Sequence, residues 1–329
     1  MLKATVKSLL AHTARWSGRL RSAESRRDGA LSILCFHRVL PEADRAAYFD
    51  PVLAITPEAF DTICATLARH TRVLPLAEAV EASRQAGASG ERIVALTFDD
   101  GYRDNLIYAA PILAKHGLRA SFYVVADLIG TDLPPWYDRM GRVVQELQAA
   151  GESIGAPTEV VAEAKALGSV GRRKRLAELE ARLPQPPVFA EPDRLMNAEQ
   201  LRELIAAGHE IGSHSCSHEI LPQLDDAQLA EEILQSKARL ESETRAPIRS
   251  FCFPNGDFDA RCLRLVREAG YEAALTTVPG VNAHEQTAFE LKRHFVHQDA
   301  WSGPSGSVSP AWVRYVTAGF TDPSRGAAS

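Results

Sequence analysis

The sequence predicts an α/β fold with a parallel sheet, because a strand–helix–strand unit lies near its centre. Residues 93–97 (IVALT) form an apolar and partly β-branched run, as expected for a buried strand. Residues 105–116 have a helical pattern that ends at Gly117, and residues 120–125 (ASFYVV) form the next apolar run. This spacing places the two strands in parallel within one sheet.

Further strands and helices alternate along most of the chain. Residues 55–70 read as a helix, because Thr56 is followed by Pro57 at the first helical position. The remaining predicted strands are residues 31–39, 73–76, 209–212, 248–253, 271–276 and 291–297. The remaining predicted helices are residues 77–84, 197–207, 225–245 and 259–269.

Three segments depart from this alternation. Residues 1–30 form a basic N-terminal arm, and residues 301–329 form a tail rich in Gly, Ser and Pro, so the main domain is expected over 31–300. Residues 131–194 interrupt the alternation as a mostly helical insertion that leaves the sheet at a strand end, where it could cover a site or bind a partner. Its charge run, Arg172 to Arg175, is expected to be a solvated helix face.

Composition limits the function classes. The 329 residues, 45% of them hydrophobic, are enough for one large core. The net charge of −5 gives no reason to expect a nucleic-acid partner. Five cysteines without a CxxC pair argue against a disulfide framework, so we expect a cytoplasmic protein. The basic arm leaves two alternatives open, a solvated arm and peripheral contact with the inner face of the membrane.

Two adjacent carboxylates, Asp99 and Asp100, follow the central strand and precede Gly101. Such a pair is costly to bury, and a cation beside it would remove that cost. One carboxylate could then ligate the metal while the other stays free as a base. A plain Asp-Asp-Gly turn is the alternative for this stretch taken alone.

The second polar cluster is GHEIGSHSCSH, residues 208–218, in which His214 and His218 are four residues apart. In a helical turn or compact loop this spacing lets two imidazoles bind one ion, although two surface histidines are the alternative for this stretch alone. One Asp and two His are a common three-ligand zinc set with an open position for water. The two stretches together therefore indicate a metal site more specifically than either stretch does alone.

The motifs TFDDG and HSxxH make the chain similar to the polysaccharide deacetylase (NodB-homology) family, carbohydrate esterase family four. The resemblance covers roughly residues 31–297, which would form a NodB-like deacetylase domain. It implies a distorted (β/α) barrel, here with a helical insertion. It also implies that Asp99 is the catalytic base and that Asp100, His214 and His218 are the metal ligands.

The third family motif, usually FRPPYG, is replaced by FCFPNG at residues 251–256. Cys252 stands where the family has an arginine that orients the base, and the fourth motif is absent. Arg293 is a candidate replacement for that orienting charge. The backbone N–H of Asn255 could still stabilise an oxyanion, because that role needs no particular side chain.

The family also implies a general-acid histidine at the end of a late strand. His294 and His297 compete for this role, and they would face opposite sides of a strand. We expect His297 to be the acid because it lies at the carboxyl end. His37, at the end of the first strand, could also point into the site or be a packed histidine.

The expected function is metal-dependent removal of the N-acetyl group from an amino sugar in a glycan or a lipid-linked glycan, with release of acetate. The resemblance points to exopolysaccharide or cell-envelope metabolism. Zinc is the expected metal, although Co²⁺, Ni²⁺ and Mn²⁺ also accept this ligand set. The alternatives are a deformylase or O-deacetylase acting on a related sugar, and a non-catalytic glycan-binding module.

Overall fold

The computed structural model describes residues 10–11, 13–14, 16–24, 29–86 and 90–321. The centre of the molecule is a parallel sheet. The strands are β1 (Leu31–Phe36), β2 (Arg38–Val39), β3 (Ala54–Ile55), β4 (Arg72–Val73), β5 (Ile93–Phe98), β6 (Ser121–Val124), β7 (Glu210–Ser213), β8 (Ser250–Cys252), β9 (Ala273–Leu275) and β10 (His294–Phe295).

Helices alternate with most of these strands. They are α1 (Arg19–Glu24), α2 (Glu42–Ala47), α3 (Pro57–His70), α4 (Leu76–Ala86), α5 (Ala110–Lys115), α6 (Trp136–Ala149), α7 (Pro157–Lys165), α8 (Gly168–Glu180), α9 (Ala198–Ala206), α10 (Asp226–Ala230), α11 (Ser236–Thr244), α12 (Ala260–Glu268), α13 (Gln298–Trp301) and α14 (Pro310–Thr317).

The sheet has the strand order β10-β1-β5-β6-β7-β8-β9, and β4 pairs with the first residues of β5. Leu291 forms a parallel bridge with Leu275 of β9, just before β10 pairs with β1. The segment that leads into β10 therefore links the two edges of the sheet. This closure curls the sheet into a distorted (β/α) barrel and confirms the predicted fold class.

Two predicted elements differ from expectation for reasons that their hydrogen bonds show. The predicted helix over 225–245 is broken by a π-helical turn, Glu231–Gln235, where the Ser236 hydroxyl donates to the Ile233 carbonyl and competes with the helical bonds. The predicted strand over 291–297 narrows to β10, because the Arg293 N–H donates to the Val278 carbonyl instead of to a neighbouring strand.

The insertion forms three helices, α6, α7 and α8, and they bury a small apolar cluster of their own. The expectation that its charge run is a solvated face is wrong for Arg172, which is buried. Its guanidinium forms an ion pair with Glu219 and stacks on Trp136 with 4.7 Å between Cζ and the ring centroid. These contacts fasten the insertion to the barrel.

The two chain ends pack together where the structure describes them. The predicted C-terminal tail contains α14, which buries Trp312, Val313 and Val316 in the main core. Much of the N-terminal arm lies outside the described residues, but Glu24 of α1 forms an ion pair with Arg314 of α14. In the described part of the chain, every helix is too short or too polar to cross a membrane.

The burial of Trp312 predicts that α14 contributes to stability. Trp312→Ala should lower the free energy of unfolding by about 3–5 kcal/mol, the usual cost of truncating a buried aromatic side chain. Urea denaturation would measure this change. Val188→Ala is the control, because Val188 is 79% exposed and its truncation should cost less than about 0.5 kcal/mol. Equally small changes in both variants would contradict a core role for α14.

Candidate active site

A cavity of about 180 Å³ lies at the carboxyl ends of the barrel strands. Its polar wall comes from residues that follow β1, β5, β7, β8 and β9 or that precede β10. These residues are His37, Asp99, Asp100, His214, His218, Asn255, Thr277 and Arg293. Because parallel strands end at one edge, residues far apart in sequence meet here.

The predicted metal ligands lie together in this cavity. Asp100 Oδ1 is 3.5 Å from His214 Nε2 and 3.4 Å from His218 Nε2. All three residues are buried, and one ligand atom from each lies within 4.8 Å of the others. His214 Nδ1 is 2.7 Å from the Cys252 carbonyl oxygen, so it carries the proton and leaves Nε2 with a lone pair.

The environment of these three residues suits a cation. Neither oxygen of Asp100 meets ordinary hydrogen-bond geometry with a described residue. Burial raises the pKa of Asp100 well above its ordinary value, and the charge of Asp99 raises that pKa further. Burial lowers the pKa of both His214 and His218, which keeps the imidazoles in the neutral form that binds metals. A divalent metal fits this donor set.

Asp99, the second carboxylate, is held by Arg293. Arg293 Nη1 and Nη2 donate to Asp99 Oδ1 and Oδ2, each at 2.8 Å, in a bidentate ion pair. The thiols of Cys35 and Cys252 also donate to Asp99, at 3.6 Å. The contact between Arg293 and Asp99 is the one expected from the sequence, and Arg293 makes it from the segment before β10, which is separated from β5 by β1.

The Arg293 contact determines the ionisation of Asp99. Burial alone would raise the pKa of Asp99, but the Arg293 guanidinium outweighs burial and holds that pKa below its usual range. Arg293 is itself fixed by a 2.8 Å hydrogen bond from Nε to the Thr276 carbonyl oxygen. Asp99 is therefore an oriented, ionised carboxylate beside the group that would hold the metal.

Asn255 lies on the cavity wall in the turn after β8, as the sequence analysis expected of a candidate oxyanion donor. Its φ of 55° is left-handed, and Gly256 follows at 77°. A Cβ at position 256 would lie 2.1 Å from Thr277 Oγ1, so this turn requires glycine. The Asn255 Nδ2 atom is buried and has no hydrogen-bond partner among the described residues.

The histidine on the cavity wall beside Asp99 is His37, and not His297. His37 Nε2 lies 3.9 Å from Asp99 Oδ2, and burial lowers the pKa of His37 to about 4. His297 precedes α13, with Nε2 at 3.5 Å from Asp299 Oδ2, and does not line the cavity. His294, on β10, does not line it either. The acid role expected for His297 stays a prediction, and its position does not support it.

The insertion supplies another part of the cavity wall, including Tyr137, Thr158 and Lys165. It is attached directly to the segment that carries His218. Trp136 Nε1 donates to the His218 carbonyl oxygen at 3.1 Å, and Ser169 Oγ donates to the next residue, Glu219, at 2.8 Å. The insertion is therefore a fixed part of the site.

Sequence reasoning did not identify these insertion residues, nor Asp50, which also lines the cavity. The one available signal was that the insertion begins near a strand end on the same side as Asp99. Which of its residues face the cavity depends on how its helices pack, and no local motif encodes that packing.

The ion pair between Asp99 and Arg293 predicts a pH-dependent loss of stability in Arg293→Met. Removing one partner of a buried pair should cost about 3–5 kcal/mol near neutral pH. Without Arg293, burial would raise the pKa of Asp99, so the folded variant would regain stability as Asp99 protonates. The loss should therefore begin to shrink as the pH falls through the raised pKa of Asp99 in the folded variant, which lies above the value of about 4 for an unfolded Asp, and should keep shrinking at lower pH.

Chemical denaturation of both proteins between pH 3 and 8 would measure this difference. Arg142→Met is the control, because Arg142 forms only an exposed ion pair with Glu146 and should lose less than about 1 kcal/mol. A loss in Arg293→Met that stays constant across this range would contradict the coupling to Asp99.

Comparisons with known proteins relate this chain to polysaccharide deacetylases. YxkH of Bacillus subtilis (strain 168), a protein classed among the polysaccharide deacetylases, is 23% identical over 223 residues. That match covers 68% of this chain and 57% of the relative, so the chain spans little more than half of YxkH.

Two solved structures share the fold. The Streptococcus pyogenes deacetylase PplD, in complex with acetate, superposes with a TM-score of 0.57 at 18% identity, over 84% of this chain and 96% of PplD. IcaB from Ammonifex degensii superposes with a TM-score of 0.57 at 19% identity, over 87% of this chain and 97% of IcaB. A sequence profile described as Polysaccharide deacetylase matches residues 86–274. Because this match spans more than half of the chain, the protein belongs to the polysaccharide deacetylase family, a family of hydrolases that act on carbon–nitrogen bonds in carbohydrates.

Proposed function

We propose that this protein is a metal-dependent deacetylase that hydrolyses the N-acetyl group of an amino sugar in a glycan and releases acetate. The observation that supports the proposal is that two adjacent carboxylates have different surroundings. Asp100 faces two neutral imidazoles, whereas the adjacent Asp99 forms an ion pair with Arg293. A non-catalytic glycan-binding module would need no oriented base beside a metal site.

Asp100, His214 and His218 would hold the metal, with zinc favoured by the two imidazoles and the single carboxylate. When bound, the metal supplies Lewis-acid polarisation of the acetyl carbonyl and a lower pKa for an attacking water. Cys252 positions the ligand set through its carbonyl, which accepts the hydrogen bond from His214 Nδ1.

Proton transfer falls to Asp99 and His37. Asp99 would take the proton from the attacking water, because Arg293 fixes both of its oxygens beside the ligand set. His37, which is neutral because burial lowers its pKa to about 4, would accept that proton from Asp99 through Nε2, 3.9 Å from Asp99 Oδ2, and pass it to the leaving nitrogen. An amide nitrogen leaves poorly without that proton. Asn255 would donate to the oxyanion from its backbone N–H.

The setting of the reaction is also part of the proposal. An exopolysaccharide or cell-envelope glycan suits the family, and a lipid-linked acetylated sugar would suit a cytoplasmic protein whose basic N-terminal arm contacts the inner face of the membrane. A deformylase or O-deacetylase would use the same residues, because only the acyl group or the leaving atom differs.

Acetate release and metal content test the central proposal. Wild-type protein should release acetate from one or more N-acetylglucosamine oligomers or lipid-linked acetylated sugars. Asp99→Asn should keep the metal and lose about two to four orders of magnitude in kcat, whereas His214→Ala should lose both. His284→Ala is a matched control, because His284 pairs with Glu285 and does not line the cavity, so it should keep both. Bound metal without release from any sugar would contradict the proposal.

The identity of the acid is tested by three histidine variants. His37→Gln should lower kcat by about 10²–10⁴, whereas His294→Gln and His297→Gln should retain most of it. Steady-state kinetics on one substrate, with metal content matched, would measure the difference. A large loss of kcat in His297→Gln with little change in His37→Gln would instead identify His297 as the acid.

A further inference from the structure

Lys165 is a charged residue in the catalytic cavity that the proposed chemistry does not use. It ends α7 of the insertion, lines the cavity and is partly buried. Its ammonium forms no ion pair with the residues that the structure describes. Burial lowers the pKa of Lys165, whereas the charges of Asp257 and Asp50 raise it without forming an ion pair. A partly desolvated cation without a partner is costly, and a ligand would remove that cost.

The position of Lys165 is fixed relative to the metal site. Gln223 Nε2 donates to the backbone carbonyl of Lys165 at 2.8 Å, and Gln223 belongs to the loop that follows His218. The buried pair between Arg172 and Glu219 fastens the same loop to the next helix of the insertion. The backbone of Lys165 is therefore tied to the loop that follows His218, and its side chain lines the same cavity as the metal ligands.

The charges that line the cavity sum to a net positive value once a divalent metal is bound. Asp99 is neutralised by the bidentate contact from Arg293. Asp100 would be more than compensated by a divalent metal. Of the remaining lining residues, Asp50 and Lys165 carry opposite charges. The loaded cavity is therefore net positive, which favours an anionic ligand over a neutral or cationic one.

Resting on the proposed deacetylase function, we propose that Lys165 binds an anionic group, a carboxylate or a phosphate, on the acetylated sugar that occupies the catalytic cavity. A sugar hydroxyl could accept a hydrogen bond from Lys165 but would leave its charge uncompensated, whereas a carboxylate or phosphate would compensate it. The substrate class is then an acetylated amino sugar with an acidic substituent near the acetamido group.

Binding measurements on zinc-loaded protein test this inference without turnover. The probes are N-acetylglucosamine, its 1-phosphate and the corresponding uronic acid, so the last two separate phosphate from carboxylate. Titration calorimetry should show that the wild type binds at least one anionic probe more tightly than the neutral sugar. Lys165→Gln should reduce this preference by about tenfold to a hundredfold, the usual effect of losing a charged hydrogen bond.

Two further variants test whether charge inside the cavity determines the preference for the anionic probe. Asp50→Asn should increase the preference for the anionic probe, because it removes the opposing charge. Lys174→Gln should leave the preference unchanged, because Lys174 is exposed beside Glu178 and lies outside the cavity. Phosphate can also bind zinc directly, so the variants are compared at equal zinc content.

An unchanged preference in Lys165→Gln, or an equal loss of affinity for all three probes, would overturn the inference. Acetate release measured on the same sugars reports separately on the proposed function. A preference that depends on Lys165 supports this inference even when no acetate is released, whereas the lack of release counts against the deacetylase proposal.

Discussion

The buried ion pair between Arg293 and Asp99 is the contact on which the catalytic arrangement depends. Asp99 follows the central strand β5, whereas Arg293 lies in the segment that links the two edges of the sheet. Breaking such a pair costs several kcal/mol, because the partner that remains is an uncompensated buried charge. Barrel closure and assembly of the site are therefore coupled. Opening the sheet at this edge would leave Asp99 as an unpaired buried charge or expose it to solvent.

The same pair explains how two adjacent carboxylates acquire different tasks. Arg293 occupies both oxygens of Asp99, so Asp99 stays ionised and directed. Asp100 has no comparable ion-pair partner among the described residues and faces His214 and His218 instead. Two like charges at neighbouring positions are tolerated only because each has its own source of positive charge, a guanidinium in one case and a metal site in the other.

The sequence predicted the parts of the site that are encoded locally. Asp99, Asp100, His214 and His218 follow strands that their own apolar runs identify, so their meeting at one edge could be expected from the parallel order. Arg293 could be expected because a missing orienting charge requires a substitute.

The rest depends on contacts between distant segments. His297 was expected at a strand end, but the strand stops at Phe295, and the His297 carbonyl instead accepts a hydrogen bond from the Trp301 N–H of α13. The contacts from Trp136 to His218 and from Arg172 to Glu219 join segments without any shared motif. Such packing produces no periodic pattern in the sequence from which it could be predicted.

Asp100, Ser215, His218 and Asn255 all have left-handed backbone conformations, with φ between 55° and 75°. Each would be relaxed by glycine, at a gain of up to about 1–2 kcal/mol per position. The side chains of the site are therefore retained at a cost in folding stability that glycine would avoid.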